Sequence, residues 1–301
     1  MAKLRRNHQG RGQAASASSI VKIGILGGIL LLLIAGFNEY FGADAGANDA
    51  RIDYDGADYF LPSGTEGELV RRDGYTLSYN ERWEQAEWVA YLLTRDNLQR
   101  KWTQRNDNFR PDPRVSTATA DDYDYRGSGY DRGHLAPFAD FAYDETLADE
   151  TFYLSNVSPQ ARQFNQGVWR ELEELTRDWA KKFKRLYVVT GPVITQEPKG
   201  YIGRDNRIAI PTAYFKVLLD VDDPERKAIG FVIPNEVSFD PLPTYSMSVD
   251  EVEAITGIDF FANLLPPDEE ADLERVGNPD LWPFSKKKFD QRTNKWNNVK
   301  N

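Results

Sequence analysis

The residues best suited to chemistry in this chain surround a single histidine. Residues 127–134 read Gly-Ser-Gly-Tyr-Asp-Arg-Gly-His, so His134 follows a glycine-rich turn and an Asp-Arg pair. The other histidine, His8, lies in a polar, basic leader at the start of the chain. A reaction that needs imidazole in the folded part therefore relies on His134 alone, which excludes paired-histidine mechanisms and argues against a histidine-rich zinc site.

Two segments downstream complete a recognisable pattern. Residues 152–160 read F-Y-L-S-N-V-S-P-Q, and residues 165–173 read N-Q-G-V-W-R-E-L-E. The D-R-G-H motif at 131–134, with this spacing to Asn156 and Asn165, resembles the DNA/RNA non-specific endonuclease family, which includes endonuclease G and secreted bacterial nucleases. The resemblance runs from about residue 75 to residue 264 and includes Y-V-V-T-G-P at 187–192 and I-P-N at 233–235.

The resemblance implies a ββα-metal site with a strand-borne histidine facing a helix. In that site His134 would be the general base that activates water, and Asn165 would be the single direct protein ligand of Mg²⁺, with Mn²⁺ as a second candidate ion. Arg132 would help to neutralise the phosphate. Asp131 is expected to fix the turn before His134 and to have no catalytic part.

Other residues are assigned supporting roles by the same resemblance. Asn156 would orient the histidine region, and Glu173 would hold the waters of the metal ion. Arg177, four residues beyond Glu173, can pair with it, and we assign Arg177 and Arg105 to the substrate phosphate. An ordinary surface ion pair is the alternative for Glu173 and Arg177, and Arg110 competes with Arg105 for its role.

The implied function is hydrolysis of DNA and RNA to fragments with 5′-phosphate ends. The substrate class comes from the family alone, because one histidine and a hydrated Mg²⁺ would serve any accessible phosphodiester. A catalytically inactive, membrane-tethered binding module on the same fold is the main alternative. A serine hydrolase built on Ser128 and His134 is a third reading, but the sequence has no G-x-S-x-G elbow.

The charge distribution favours the inactive alternative. The formal net charge is −10, and residues 1–37 carry five basic residues and no acid, so residues 38–301 sum to −15. An acidic domain lacks the broad basic face typical of nucleic-acid binders. A bound Mg²⁺ and a few arginines can still create a locally positive cleft, with weak and salt-sensitive capture of the substrate.

An apolar segment at residues 20–37 is long enough to span a membrane. Since the nearby positive charge precedes it, we expect a cytoplasmic leader at 1–19, a single-pass signal anchor and an exported, periplasmic or extracellular, catalytic domain. A signal peptide cleaved near A-D-A at 43–45 is the alternative.

Two kinds of protein partner are also considered. Gly24 and Gly28 form a G-x-x-x-G pair, which would allow two such helices to pack closely in a homodimer. A protein inhibitor is a further expected partner, because a cytoplasmic copy would be toxic.

These motifs have to be positioned by an α+β fold with a central, mainly antiparallel sheet flanked by helices and preceded by the transmembrane helix. Apolar, β-branched runs predict strands at 75–79, 88–94, 186–194, 214–221 and 228–233. Apolar spacing predicts helices at 164–183 and 249–255. We therefore expect a linker at 38–72, a nuclease domain at 73–276 and a basic, aromatic tail at 277–301 that is either solvated or contacts nucleic acid.

Overall fold

The computed structural model describes residues 59–194, 197–222 and 224–298. The leader at 1–19, the apolar segment at 20–37 and the linker up to residue 58 lie outside the described residues, so the predictions for them stay predictions. Within the described residues, no helix is both long enough and apolar enough to cross a membrane.

A seven-stranded antiparallel sheet forms the centre of the fold. In sheet order its strands are β1 (Glu68–Arg71), β2 (Thr76–Asn80), β3 (Gln85–Thr94), β6 (Arg185–Val193), β9 (Ala213–Asp220), β10 (Lys227–Pro234) and β11 (Ser246–Met247). Two short antiparallel ribbons lie outside it: β4 (Tyr130–His134) with β5 (Val157–Ala161), and β7 (Tyr201–Ile202) with β8 (Ile208–Ala209). The predicted α+β class with a central antiparallel sheet is confirmed, and the five predicted strands correspond to β2, β3, β6, β9 and β10.

Both faces of this sheet are buried. Alternate residues of each strand point to opposite faces, so each strand contributes to two cores. In β3, Val89 and Tyr91 belong to the core on one side, which we call the first face. Trp88 and Ala90 belong to the core on the opposite side, the second face. Strands that are buried on both sides read as almost continuous apolar runs, which explains why the sequence locates them well.

Helices cover the two faces. The described helices are α1 (Arg95–Leu98), α2 (Asp122–Tyr125), α3 (Phe138–Phe141), α4 (Glu145–Glu150), α5 (Arg170–Phe183), α6 (Val249–Thr256), α7 (Pro267–Glu274) and α8 (Lys286–Asn294). Helix α5 places Leu172, Leu175 and Trp179 in the first-face core, as their helical spacing predicts. Helix α6 places Val249 and Val252 in the second-face core.

The predicted helix at 164–183 is α-helical only from Arg170 onwards. Phe164–Trp169 forms a π-helical turn with non-helical dihedral angles at Gly167, φ −105° and ψ −108°. A Cβ atom at Gly167 would lie 2.5 Å from Oδ1 of Asn297, so glycine is needed for the close approach of the C-terminal segment. This turn places Asn165 ahead of α5 rather than within it.

The predicted linker ends too late, because the folded body includes residues before 73. Phe60 and Leu61 are buried in the second-face core, and the rings of Phe60 and Tyr187 are 5.4 Å apart. Strand β1 pairs with β2 and forms the edge of the sheet. The apolar pair Phe60 and Leu61 and the four-residue edge strand β1 are too short to show a periodic pattern, so the sequence does not predict them.

The C-terminal segment is also part of the folded body, which corrects the prediction of a separate tail for its described residues. Trp282 packs edge-on against Trp179 of α5, with ring centroids 5.2 Å apart. Arg292 is 0% exposed, and its Nε donates to Oε2 of Glu171 at 2.6 Å. Lys288 pairs with Glu174 at 2.8 Å. Lys288 and Arg292 therefore neutralise acids on α5, which the composition of this segment alone does not show.

Replacing Arg292 by alanine should lower the free energy of unfolding by about 3–5 kcal/mol, because the buried Glu171 carboxylate would lose its partner. Urea denaturation measures the change. The double variant Arg292→Met with Glu171→Leu should recover part of it, since removing both charges removes the desolvation cost, while the carbonyl oxygens of Ser238 and Asp240 still lose the Arg292 donor. Lys286→Ala, which breaks an exposed pair with Asp290, is the control and should cost under about 0.5 kcal/mol. Equal effects of Arg292→Ala and Lys286→Ala would contradict this account.

Candidate active site

Two strands and the π-helical turn bring the predicted residues together. In the antiparallel ribbon, His134 at the end of β4 lies opposite Val157 at the start of β5. Strand β5 runs back along β4 and ends at Ala161, opposite Tyr130. The π-helical turn follows at once, so the chain returns to the beginning of β4, next to Asp131.

Asp131 joins the ribbon to the π-helical turn. Its carboxylate accepts hydrogen bonds from Nδ2 of Asn165 at 3.1 Å and from Nε2 of Gln166 at 3.3 Å. It also pairs with Arg162 at 3.0 Å. The prediction that Asp131 fixes the turn before His134 is therefore replaced by a different role, which is to hold Asn165 against β4. The Asn165 amide is oriented with its nitrogen towards Asp131, and this frees its oxygen for another partner.

The glycine of the D-R-G-H motif is required by packing. A Cβ atom at Gly133 would lie 2.1 Å from Cδ of Gln160 on the neighbouring strand, so any larger residue would displace the buried Gln160 side chain. The Ser128 hydroxyl accepts from the backbone nitrogen of Tyr130 at 3.1 Å. This serine completes a local turn and gives no support to the serine-hydrolase reading.

His134 lies in an aromatic, electropositive setting. Its ring centroid is 5.3 Å from Phe109 and 5.1 Å from Phe152, and the residue is 8% exposed. Nε2 is buried and has no hydrogen-bond partner within the described part of the chain. Burial, followed by the charges of Arg105 and Arg132, lowers the pKa of His134 to about 3. The imidazole is therefore neutral at physiological pH, so one of its ring nitrogens carries a free lone pair.

Asn156 is fully buried and holds the segment that follows His134. Its Oδ1 accepts from the backbone nitrogen of Ala136 at 2.9 Å, and its Nδ2 donates to the carbonyl oxygens of Ala136 and Thr151, both at 2.9 Å. All these partners are backbone groups. These contacts hold the backbone that follows His134 and place Asn156 outside direct contact with a substrate, and its orienting role stays a prediction.

Two open clefts meet at Asn165. The first has a volume of about 590 Å³ and includes Arg105, Asp131, Arg132 and Arg162 in its lining. The second has a volume of about 510 Å³ and is lined by residues of α5 and α8, including Glu173, Arg177 and Lys288. His134 lies behind Phe109, which lines the first cleft. Asn165, the predicted metal ligand, thus lines both an arginine-rich cleft and a cleft that contains acidic residues.

Arginine side chains dominate the first cleft. Arg132 pairs with Asp122, and Nε of Arg105 donates to Asp107 at 2.7 Å. Arg110 instead pairs with Asp149 at 2.5 Å and does not line the first cleft, so the geometry favours Arg105 over Arg110 as a phosphate contact. Arg162 also lines this cleft, yet no motif of the sequence singled it out.

Arg177 and Glu173 do not form the ion pair that their spacing predicts. Nη1 of Arg177 donates to the buried carboxylate of Asp140 at 2.8 Å, and Asp140 also accepts from the Tyr91 hydroxyl at 2.8 Å. Burial raises the pKa of Glu173 to about 7, against the opposing charges of Arg177 and Lys216. Arg177 therefore lines the second cleft with its charge paired to Asp140, a partner 37 residues away that the helical spacing does not predict.

Lys216 is a further charged residue that sequence reasoning missed. It lies on β9 and is fully buried, with Nζ 5.1 Å from the centroid of the Trp169 ring. That nitrogen has no hydrogen-bond partner within the described residues. Burial lowers the pKa of Lys216 to about 8, while the charges of Glu173 and Asp140 act to raise it. Lys216 thus places a positive charge beneath the acidic part of the second cleft.

Residues 57–266 match the family model described as DNA/RNA non-specific endonuclease. Nuclease C1 of Cunninghamella echinulata var. echinulata is 36% identical over 220 residues, which cover 68% of this chain and 87% of that protein. Human mitochondrial endonuclease G is 35% identical over 222 residues, which cover 69% of this chain and 74% of that protein.

The fold is similar to a solved structure as well. A crystal structure of the EndoG/EndoGI complex, concerned with the mechanism of EndoG inhibition, aligns with a TM-score of 0.63 and 29% sequence identity. The alignment covers 73% of this chain and 94% of that one. The relatives are nucleases by name, so the comparisons give no support to the alternative of an inactive binding module.

The buried His134 should make the protein less stable in acid. In the unfolded chain the pKa of histidine is about 6.5, so between pH 6.5 and about 3 the unfolded state binds a proton that the folded state excludes. Stability contributed by neutral His134 is therefore present above pH 6.5 and lost as the pH falls. Urea denaturation should show that His134→Asn loses about 2 kcal/mol less than wild type between pH 7 and pH 4.5. Identical losses of stability in the two proteins would show that burial does not lower the pKa of His134.

Proposed function

This chain belongs to the DNA/RNA non-specific endonuclease family and is an enzyme of that type, and we propose that it is a metal-dependent nuclease that hydrolyses phosphodiester bonds in both DNA and RNA. The observation that carries the proposal is the position of a neutral, buried His134 behind an arginine-lined cleft that also contains Asn165. The ribbon β4–β5 followed by the π-helical turn and α5 supports the ββα-metal class of site.

His134 is the general base in this proposal. A neutral imidazole can take the proton of the attacking water, and its aromatic neighbours Phe109 and Phe152 fix the ring plane. Burial keeps it neutral, and the charges of Arg105 and Arg132 add to this effect, because a further positive charge beside them is unfavourable. Hydrolysis leaves the phosphate on the 5′ end of each product, as in the family.

Asn165 fits the role of metal ligand. Mg²⁺ takes oxygen ligands, keeps several of its waters and needs few protein groups. The hydrogen bond from the Asn165 amide nitrogen to Asp131 leaves the amide oxygen available for such an ion, and Glu173 lines the adjoining cleft as an acceptor for its waters. When bound, Mg²⁺ would supply charge stabilisation at the phosphate, and Mn²⁺ could serve in its place.

The arginines provide the phosphate contacts. Arg105, Arg132 and Arg162 line one cleft, and a guanidinium group binds phosphate oxygens through a planar pair of donors. Arg177 is buried against Asp140, so we do not assign it a phosphate contact. This local positive charge supports substrate capture by a chain whose net charge is −10.

Cleavage of plasmid DNA and of RNA tests the proposal. Wild type with Mg²⁺ or Mn²⁺ should cut both polymers, EDTA should stop cutting, and His134→Ala should lower kcat by about 10²–10⁴-fold. Asn165→Ala should raise the Mg²⁺ concentration needed for half-maximal rate. Arg162→Ala should raise KM and reduce the salt slope of binding by about one.

Arg275→Ala is the matched control, because it removes a surface arginine paired with Asp272 on α7 and away from both clefts. It should leave kcat and KM unchanged. A folded wild type that cuts neither polymer with either ion would refute nuclease activity. Equal rates for wild type and His134→Ala would remove His134 from the chemistry while leaving the family assignment intact.

We also propose that residues 20–37 anchor the chain in a membrane with the catalytic domain exported; the sequence pattern supports this. The full chain should sediment with membranes, and protease added from the exported side should digest the domain. Leu31→Arg with Leu32→Arg should release the chain, since two charges in the apolar segment disfavour insertion. A soluble chain that begins near Ala43 would indicate a cleaved signal peptide instead.

The protein partners stay proposals. The proposal of a homodimer is based on the glycine pair in the apolar segment, which lies outside the described residues. The solved complex of EndoG with EndoGI supports a protein inhibitor for this chain, because an endonuclease of similar fold is the target there.

A further inference from the structure

A cluster of carboxylates joins α6 and α7. Asp250 and Glu253 lie three residues apart on α6, and Glu274 is the last residue of α7. One oxygen from each of these three side chains lies within 4.8 Å of the other two. Helix α6 packs on the second face of the sheet, whereas the helix that begins beside Asn165 packs on the first face. The cluster is therefore on the opposite side of the sheet from the clefts.

Glu274 is the residue that makes this more than a surface acidic patch. Only 6% of it is exposed, and its Oε1 atom is buried without a hydrogen-bond partner in the described residues. Oε1 of Glu270, one turn earlier on α7, is likewise buried and unpartnered within this part of the chain. An ionised carboxylate buried without a partner is strongly destabilising, so the arrangement calls for a positive group.

The surrounding charges increase this cost. Burial, followed by the charges of Glu253, Glu270, Asp250 and Asp259, raises the pKa of Glu274 to about 9. Glu270 and Glu274 are like charges at i,i+4 on one helix, and Glu274 lies against Asp250 and Glu253 on the other. Nearby arginines are paired elsewhere: Arg226 with Glu269, and Arg275 with Asp272.

We propose that Asp250, Glu253 and Glu274 bind a calcium ion that fastens α7 to α6. Three carboxylates from two helices suit Ca²⁺, which takes six to eight oxygen ligands in irregular geometry and accepts several carboxylates at once. Oε1 of Glu253 already accepts from the backbone nitrogen of Phe260 at 2.8 Å, which leaves its second oxygen for the ion. Glu270 adds negative charge beside the site.

Glu274 lies beyond residues 57–266, so the match to the family model does not include the whole site. Because the site is across the sheet from His134 and Asn165, the ion contributes to stability and takes no part in phosphodiester chemistry. By fastening α7, the ion also fixes the start of the C-terminal segment, in which Trp282 and Arg292 contact α5.

Thermal unfolding of the full chain, after removal of metal with EDTA and dialysis, tests the site. Saturating CaCl₂ should raise the melting temperature of wild type by about 5 °C or more. Without metal, Glu274→Gln should melt at a higher temperature than wild type, because the wild type has to protonate the Glu274 carboxylate in order to bury it. The variant should gain little from CaCl₂. Asp272→Asn, which removes the same charge from the exposed side of α7, should respond to CaCl₂ as wild type does.

Calorimetric titration with CaCl₂ provides a direct second measurement. The exposed ligand Asp250 allows a variant that leaves the buried packing intact, and Asp250→Asn should weaken Ca²⁺ binding at least tenfold. An equal rise in melting temperature for wild type and Glu274→Gln would overturn the proposal. So would a wild type that binds no Ca²⁺, and a higher melting temperature of Glu274→Gln would then show that the cluster is neutralised by a proton.

Discussion

A sheet with two apolar faces has to be covered on both sides, and this constraint arranges the whole domain. Helix α5 covers the first face with Leu172, Leu175 and Trp179. Helix α6 covers the second face with Val249 and Val252. The clefts lie at the start of α5, because the π-helical turn places Asn165 outside the core. The carboxylate cluster lies on the helices of the other face.

The site depends on hydrogen bonds between segments that are distant in sequence. Asp131 on β4 holds the side chains of Asn165 and Gln166, which follow β5. Asn156 fixes the backbone at Ala136, two residues after His134. Arg292 anchors the first turn of α5 through Glu171. Since each contact crosses between elements, the positions of His134 and Asn165 are set by the fold rather than by their own loops.

Local charge in this protein differs from its overall charge. The chain is acidic, yet the first cleft gathers Arg105, Arg132 and Arg162. In the proposed function these arginines bind phosphate, and Arg105 and Arg132 add to the effect of burial in lowering the pKa of His134. On the opposite side of the sheet, acids gather around Glu274. Net charge therefore predicted weak capture of nucleic acid, while the separation of charges in the fold shows where capture and cation binding can occur.

The sequence determined the elements whose signal is local. Continuous β-branched runs located the central strands, helical spacing located α5, and scarcity of histidine singled out His134. The motif and its spacing to Asn165 identified the family. Only the tertiary structure decided the partners, because a hydrogen bond or ion pair between distant residues leaves no periodic trace in the chain. Arg177 thus binds Asp140, Asp131 holds Asn165, and Lys288 and Arg292 of the C-terminal segment neutralise acids on α5.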